Sequence, residues 1–114
     1  MAENENESLL EKLRERTSQH KLKWEPGVEN TFLATLDEFL FLVSRSATSA
    51  GMSISLLMKD NQGNELVRMN ARRNLTGAQT PYWNSLEDFY TLVKRNAFDV
   101  DRKLTKALDL LDKI

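Results

Sequence analysis

The sequence contains no cysteine, one histidine, four glycines and two prolines among 114 residues. Without cysteine it can form no disulfide framework, no thiolate zinc site and no cysteine nucleophile. The lone His20 leaves a serine-based triad or a histidine metal site with a single candidate group. The scattered glycines form neither GxGxxG nor GxxxxGK[ST], the patterns that cradle phosphates. We therefore expect no catalytic residue, no metal site and no cofactor, and hence a protein that is not an enzyme.

A long apolar run and a strong excess of one charge sign are also missing. No stretch approaches the roughly 20 apolar residues that a membrane-spanning helix needs, and residues 1–8 are acidic and polar, unlike a secretion signal. The 16 Lys and Arg residues nearly balance the 17 Asp and Glu residues, giving a net charge of −1. Because such a chain has no global field to hold a polyanion, nucleic acid is a disfavoured partner. We expect a cytoplasmic protein that does not bind membranes.

The composition that remains is that of one globular domain. Apolar residues make up 40% and charged residues 29% of the chain, both near globular averages. Residues 1–7 are rich in Glu and Asn and are predicted to be a flexible acidic tail. Ser8 and Glu11 have the spacing of a capping box, which predicts that a helix starts there. We expect a single α+β domain over residues 8–114.

Alternating apolar residues predict a four-stranded antiparallel meander between the N-terminal helix and a C-terminal helix pair. Pro26 and Gly27 favour a turn before the first strand, with Trp24 anchoring the connection to the core. Asp37 and Glu38 form a tight link between strands, and the segment from Asp60 to Gly63 is typical of a hairpin turn. The predicted strands are residues 31–36, 39–45, 52–59 and 65–69.

Leu40 and Leu42 lie on the face of the second strand opposite Phe39, Phe41 and Val43. A strand with one solvated face should carry polar residues there, so this strand is predicted to be buried on both sides. Two explanations remain open. Either helices cover both faces of the sheet, or Leu40 and Leu42 form an interface with another chain, most simply a second copy.

Residues 70–82 contain one strongly apolar side chain, Leu75, and are predicted to be a long loop. The arginines in and before this loop, together with the aromatic pair that follows it, are candidates for binding an anionic, nucleotide-like ligand, because guanidinium groups bind phosphate and stack with rings. The alternative is a solvated loop whose arginine stems pack over an aromatic ring. The candidate ligand-binding residues are Arg68, Arg72, Arg73, Tyr82 and Trp83.

Two C-terminal helices are predicted on either side of a corner near Phe98. Asn84 or Ser85 can cap the first helix, and Asp99 can cap the second. The basic residues around the corner are interspersed with Asp side chains, which favours ion pairs on the helix surface over nucleic-acid binding. The second helix has an apolar stripe with helical spacing, made of Val100, Leu104, Ala107, Leu108, Leu111 and Ile114.

The elements described above share a set of residues that forms one pattern: Thr17, Leu22, Trp24, Thr31, Phe32, Ala34, Leu36, Val43, Arg45, Ser46, Asp60, Gly63, Leu86, Tyr90, Arg95, Ala97, Val100, Asp101, Leu104 and Leu111. This pattern resembles a family of small, uncharacterised bacterial and phage α+β domains. The resemblance covers most of the chain, with His20 in place of a glycine and a longer stretch between Arg72 and Trp83. It implies the α+β fold and a setting in the conflict between phages and bacteria.

Two functions therefore compete. The first is a non-enzymatic binding module, a homodimer or a partner of another protein, which uses the apolar sheet face at Leu40 and Leu42 or the helix pair. The second is a protein that sequesters a small nucleotide-like anion in phage defence or its evasion.

Overall fold

The computed structural model describes residues 2–114, and their side chains from residue 5 onward. The fold is α+β, with one N-terminal helix, a five-stranded antiparallel sheet and two C-terminal helices. The elements in chain order are α1 (Ala2–Ser18), β1 (Glu25–Pro26), β2 (Thr31–Leu36), β3 (Phe39–Thr48), β4 (Gly51–Asp60), β5 (Glu65–Asn74), α2 (Trp83–Ala97) and α3 (Val100–Asp112).

Helix α1 begins at Ala2, six residues before the predicted start at Ser8. The Ser8 and Glu11 pair consequently lies inside the helix and does not form its cap. The first residue of the predicted acidic tail, Met1, lies outside the described residues. The flexibility of residues 1–7 and the single domain over residues 8–114 stay predictions.

The sheet is a meander in which each strand pairs with the next in the chain. Its strands number five over the described residues, so the prediction of four was wrong by one. The missed strand, β1, pairs Glu25 with Leu33 and Pro26 with Phe32. Proline lacks an N–H donor and is tolerated on edge strands. A two-residue edge strand that contains proline carries no alternation, which is why the sequence pattern indicated only a turn.

Strand β5 extends five residues beyond its predicted end, so the prediction of a loop from residue 70 was wrong for residues 70–74. Met69 and Ala71 point into the core, while the residues between and after them are exposed. Thr80 pairs with this strand, because its N–H donates to the carbonyl oxygen of Arg72 at 2.9 Å and its hydroxyl accepts from the Arg72 N–H at 2.8 Å. Residues 70–74 contain one apolar side chain, Ala71, so the sequence signal for this part of the strand is weak.

Helices α1 and α2 lie over one face of the sheet and enclose the core. Trp24, Trp83 and Phe89 are the largest fully buried side chains, and the Trp24 and Phe89 rings meet edge to face with centroids 5.8 Å apart. The indole N–H of Trp24 donates to the Thr17 hydroxyl oxygen at 2.9 Å. The predicted role of Trp24 as the anchor of the connection between helix and sheet is confirmed.

Candidate interaction surface

The C-terminal helix α3 exposes its apolar stripe to solvent. Leu104, Leu108 and Leu111 are 51%, 53% and 61% exposed, and α3 has no buried residue at all. Soluble proteins expose single apolar side chains routinely, but a contiguous stripe rimmed by charged residues is characteristic of an interaction surface. The α3 stripe, defined as Val100, Leu104, Ala107, Leu108 and Leu111, is therefore the principal candidate site.

A short corner fixes α3 to the rest of the fold. Phe98 packs edge to face against Phe32, with centroids 5.7 Å apart. Asp99 takes a left-handed backbone conformation with φ 55°, and its N–H donates to the Asn96 carbonyl oxygen at 3.2 Å. This backbone turn ends α2 and sends α3 away from the core.

Ion pairs reinforce the corner. The Asp99 carboxylate accepts a hydrogen bond from Nε of Arg102, which lowers the pKa of Asp99, and Arg95 pairs with Asp101. Asp99 occupies the predicted cap position, but its side chain binds Arg102 and makes no capping hydrogen bond. These contacts agree with the surface ion pairs expected from the sequence.

Helix α3 is expected to be only marginally stable without tertiary contacts. It has 13 residues, and helices shorter than about 12–15 residues are marginal in water without tertiary packing. In the part of the chain that the structure describes, α3 packs mainly against α2, next to the corner between the two helices. A helix of this length is stabilised when another surface covers its apolar stripe, which supports the assignment of the α3 stripe as an interface.

The second apolar surface is the face of the sheet opposite α1 and α2. Leu40 and Leu42 lie on it, as expected, and Leu42 stands in register between Leu33 on β2 and Leu57 on β4. All four leucines are half-buried by their sheet neighbours. Of the two explanations left open by the sequence, the described helices do not cover both faces of the sheet. This surface is less exposed than the α3 stripe and shares its face with serine and threonine side chains.

The five candidate ligand-binding residues do not converge on one site. Arg68 forms a short ion pair with Glu65 at 2.6 Å, which raises the pKa of the Arg68 guanidinium and lowers that of the Glu65 carboxyl. Trp83 is 1% exposed and belongs to the core, and the Tyr82 hydroxyl donates to the Glu7 carboxylate at 2.8 Å. Tyr82 lines a small depression together with Arg68, whereas the buried Trp83 ring is not accessible to a ligand.

Arg72 and Arg73 do share one depression of about 400 Å³ at the end of the sheet. Arg72 lies opposite Ser53 and Arg73 opposite Met52 in the register with β4, so successive side chains leave opposite faces of the strand. The depression is also lined by Thr48, Ala50, Gly51 and Asn74. Both arginines and several small polar groups therefore border the depression, although the two arginine side chains start from opposite faces of the sheet.

His20 is exposed and occupies a left-handed turn with φ 59° after α1. Among the described residues, no group of three or more His, Cys, Asp or Glu side chains is placed to hold a metal ion. In the part of the chain that the structure describes, no helix has both the length and the hydrophobicity to cross a membrane.

Comparison with protein-family models, with curated proteins and with solved structures gives no match for this chain. The functional argument consequently rests on the surfaces themselves.

Sequence reasoning identified the residues of the α3 stripe but not that the stripe is uncovered. An amphipathic pattern shows that a helix has an apolar face and leaves open what packs on it.

Proposed function

We propose that this protein is a non-enzymatic interaction module that self-associates through α3, with the α3 stripe of one copy packed on the α3 stripe of a second. The observation that carries the proposal is the exposure of Leu104, Leu108 and Leu111 along one face of α3. A surface that binds its own copy is self-complementary and closes as a two-fold dimer. The proposed dimer is cytoplasmic.

The exposed leucines of α3 supply enough apolar surface for association, and no residue of the domain core has to take part in the contact. Burial of the exposed half of each of these three leucines contributes about 1 kcal/mol per side chain, and two copies bring six such side chains together. The sheet face at Leu40 and Leu42 is a secondary candidate, since its leucines already lose much of their surface to neighbouring strands.

Light scattering coupled to size exclusion, at tens of micromolar protein, tests the proposal. The wild-type chain is expected to elute with twice the chain mass, and the double variant Leu104→Asp, Leu111→Asp as a monomer. Lys106→Asp is the control, because Lys106 is exposed on the same helix but lies about 140° around it from Leu111. A wild-type monomer, or a double variant that remains dimeric, contradicts the proposal.

A second candidate function is the sequestering of a small nucleotide-like anion, supported by the depression that Arg72 and Arg73 share. Its setting in phage defence or counter-defence comes from the family resemblance alone. A thermal-shift screen with nucleotides tests it, since a ligand at 100 times its dissociation constant adds about 2.7 kcal/mol of stability. The double variant Arg72→Ala, Arg73→Ala should lose any shift, whereas the paired Arg68→Ala should keep it.

A further inference from the structure

An apolar groove of about 420 Å³ lies between α1 and the adjoining ends of β2 and β3. Its floor consists of Leu13, Leu22 and Phe41, which belong to the core and are 4–5% exposed. Leu9 and Leu36 form its edges, and Leu36 is 58% exposed. The volume falls within the range of about 300–1,000 Å³ that small-molecule sites occupy.

Among the residues whose side chains the structure describes, every charged one that lines this groove is a cation. Lys12 and Arg16 lie one turn apart on α1, and Lys21 follows in the turn after the helix. Like charges at this spacing repel each other on a helix surface. Arg16 approaches the neighbouring Glu15 at 3.5 Å, whereas Lys12 and Lys21 form no ion pair with any described residue. An anion at the rim would relieve this repulsion.

We infer that the groove binds a single-chain amphiphile with an anionic head, of the class of medium-chain alkyl carboxylates. The alkyl chain lies on the leucine floor, and the carboxylate meets Lys12, Arg16 and Lys21. The wall of the groove runs along α1 from Leu9 to Arg16, a length of about 10 Å at the rise of a helix, which suits one short chain. This inference is independent of self-association through α3.

Isothermal titration calorimetry with a series of linear alkyl carboxylates, below their micelle concentrations, tests the assignment. Affinity is expected to increase about twofold per methylene, because an open groove removes about half of each methylene from water. The increase should stop once the chain outgrows the groove. The alcohol of the same length should bind about tenfold more weakly, since it cannot pair with the three cations.

Charge variants locate the head group. Lys12→Glu combined with Lys21→Glu should weaken carboxylate binding at least tenfold and leave the alcohol nearly unaffected. Arg14→Glu is the matched control on the same helix, because Arg14 lines a separate depression with Glu7 and Glu11. Leu36→Asp places a carboxylate at the apolar edge and should weaken both ligands, while the exposure of Leu36 protects the fold from this change.

Four results would overturn the inference. The first two are the absence of binding at every chain length and equal affinity for the carboxylate and the alcohol. The third is an equal loss of carboxylate binding in the Lys12→Glu, Lys21→Glu variant and in Arg14→Glu. The fourth is the loss of binding in the Leu104→Asp, Leu111→Asp variant. The last result would place the alkyl chain on α3. Backbone amide shifts in NMR spectra should change around Leu9 and Leu36 and stay constant along α3.

Discussion

The side-chain oxygen Oδ1 of Asn96 accepts a hydrogen bond from the backbone N–H of Trp24 at 2.8 Å. The amide nitrogen of the same side chain donates to the carbonyl oxygens of Leu22 at 3.0 Å and Thr17 at 3.4 Å. Asn96 is 8% exposed, near the end of α2. One buried amide therefore satisfies the backbone of the segment that leads from α1 into the sheet.

Asn96→Ala is expected to lower the free energy of unfolding by about 2–3 kcal/mol, because it leaves a buried N–H and buried carbonyl groups without partners. Urea unfolding followed by circular dichroism measures the loss. Asn84→Ala, at an exposed position at the start of the same helix, is the control and should change stability by less than about 0.5 kcal/mol. Similar effects of the two substitutions would show that Asn96 does not bind this segment.

Thr17→Val removes the hydroxyl that accepts the Trp24 indole hydrogen bond and preserves the shape of the side chain. Both residues are at most 1% exposed, so the indole N–H would be buried without a partner, at a cost of about 1–2 kcal/mol. Thr91→Val removes an exposed hydroxyl that bonds within α2 and provides the comparison. If the two valine variants unfold at the same urea concentration, the Thr17 hydroxyl makes no net contribution.

Gly51 and Gly63 both have positive φ, 141° and 85°, but differ in the space around them. A Cβ atom on Gly51 would overlap the carbonyl oxygen of Arg73 and lie 2.7 Å from the Asn74 Cα, whereas a Cβ on Gly63 meets nothing within 4 Å. Gly63→Ala should therefore cost about 1–2 kcal/mol, from backbone strain alone. Gly51→Ala should cost about 3 kcal/mol or more.

Thermal unfolding of the two glycine variants separates strain from steric overlap. Equal losses would indicate that β5 can shift away from β4 at Gly51 without cost.

Asp60 is expected to make the free energy of unfolding depend on pH in the acidic range. Its carboxylate accepts hydrogen bonds from the Asn64 side chain and from the backbone N–H groups of Asn64 and Gln62, which hold the pKa of Asp60 below its usual 3.8. A lowered folded-state pKa stabilises the fold above the unfolded-state value, and this contribution is lost as the pH falls through the folded-state value.

Urea unfolding at a series of pH values below 5 should show that Asp60→Asn loses less stability on acidification than the wild type. Asp88→Asn, which replaces an exposed carboxylate that has no hydrogen-bond partner among the described residues, should keep the wild-type slope. A wild-type slope in Asp60→Asn would mean that other carboxylates account for the acid sensitivity.

Most of the fold follows from periodicity, because a half-buried strand repeats every two residues and a half-buried helix every three to four. On β4, the buried Ile54 and Leu56 lie on either side of Ser55, and the Asp60 to Gly63 hairpin has the residues its turn requires. The errors fall where that signal fades. Strand β1 has two residues, and the second half of β5 is an exposed edge that carries Asn70, Arg72 and Arg73.

The candidate sites were predicted less well, for a different reason. Proximity in sequence grouped Arg72, Arg73 and Trp83, but the strand separates the side chains of successive residues and the core takes the indole. The apolar groove joins Leu9 with Leu36 and Phe41, which are far apart in sequence. Only tertiary packing brings such residues together, so no local pattern could have indicated this groove.

The absence of any buried residue in α3 has an evolutionary consequence. Substitutions at Leu104, Leu108 or Leu111 change what α3 binds without opening a cavity in the core, so selection can alter affinity and partner choice at nearly constant stability. A lineage could gain or lose a partner through a few changes in this helix. By contrast, a substitution at Asn96, Trp24 or Thr17 removes a contact that stabilises the fold. Selection cannot change these residues without a loss of stability.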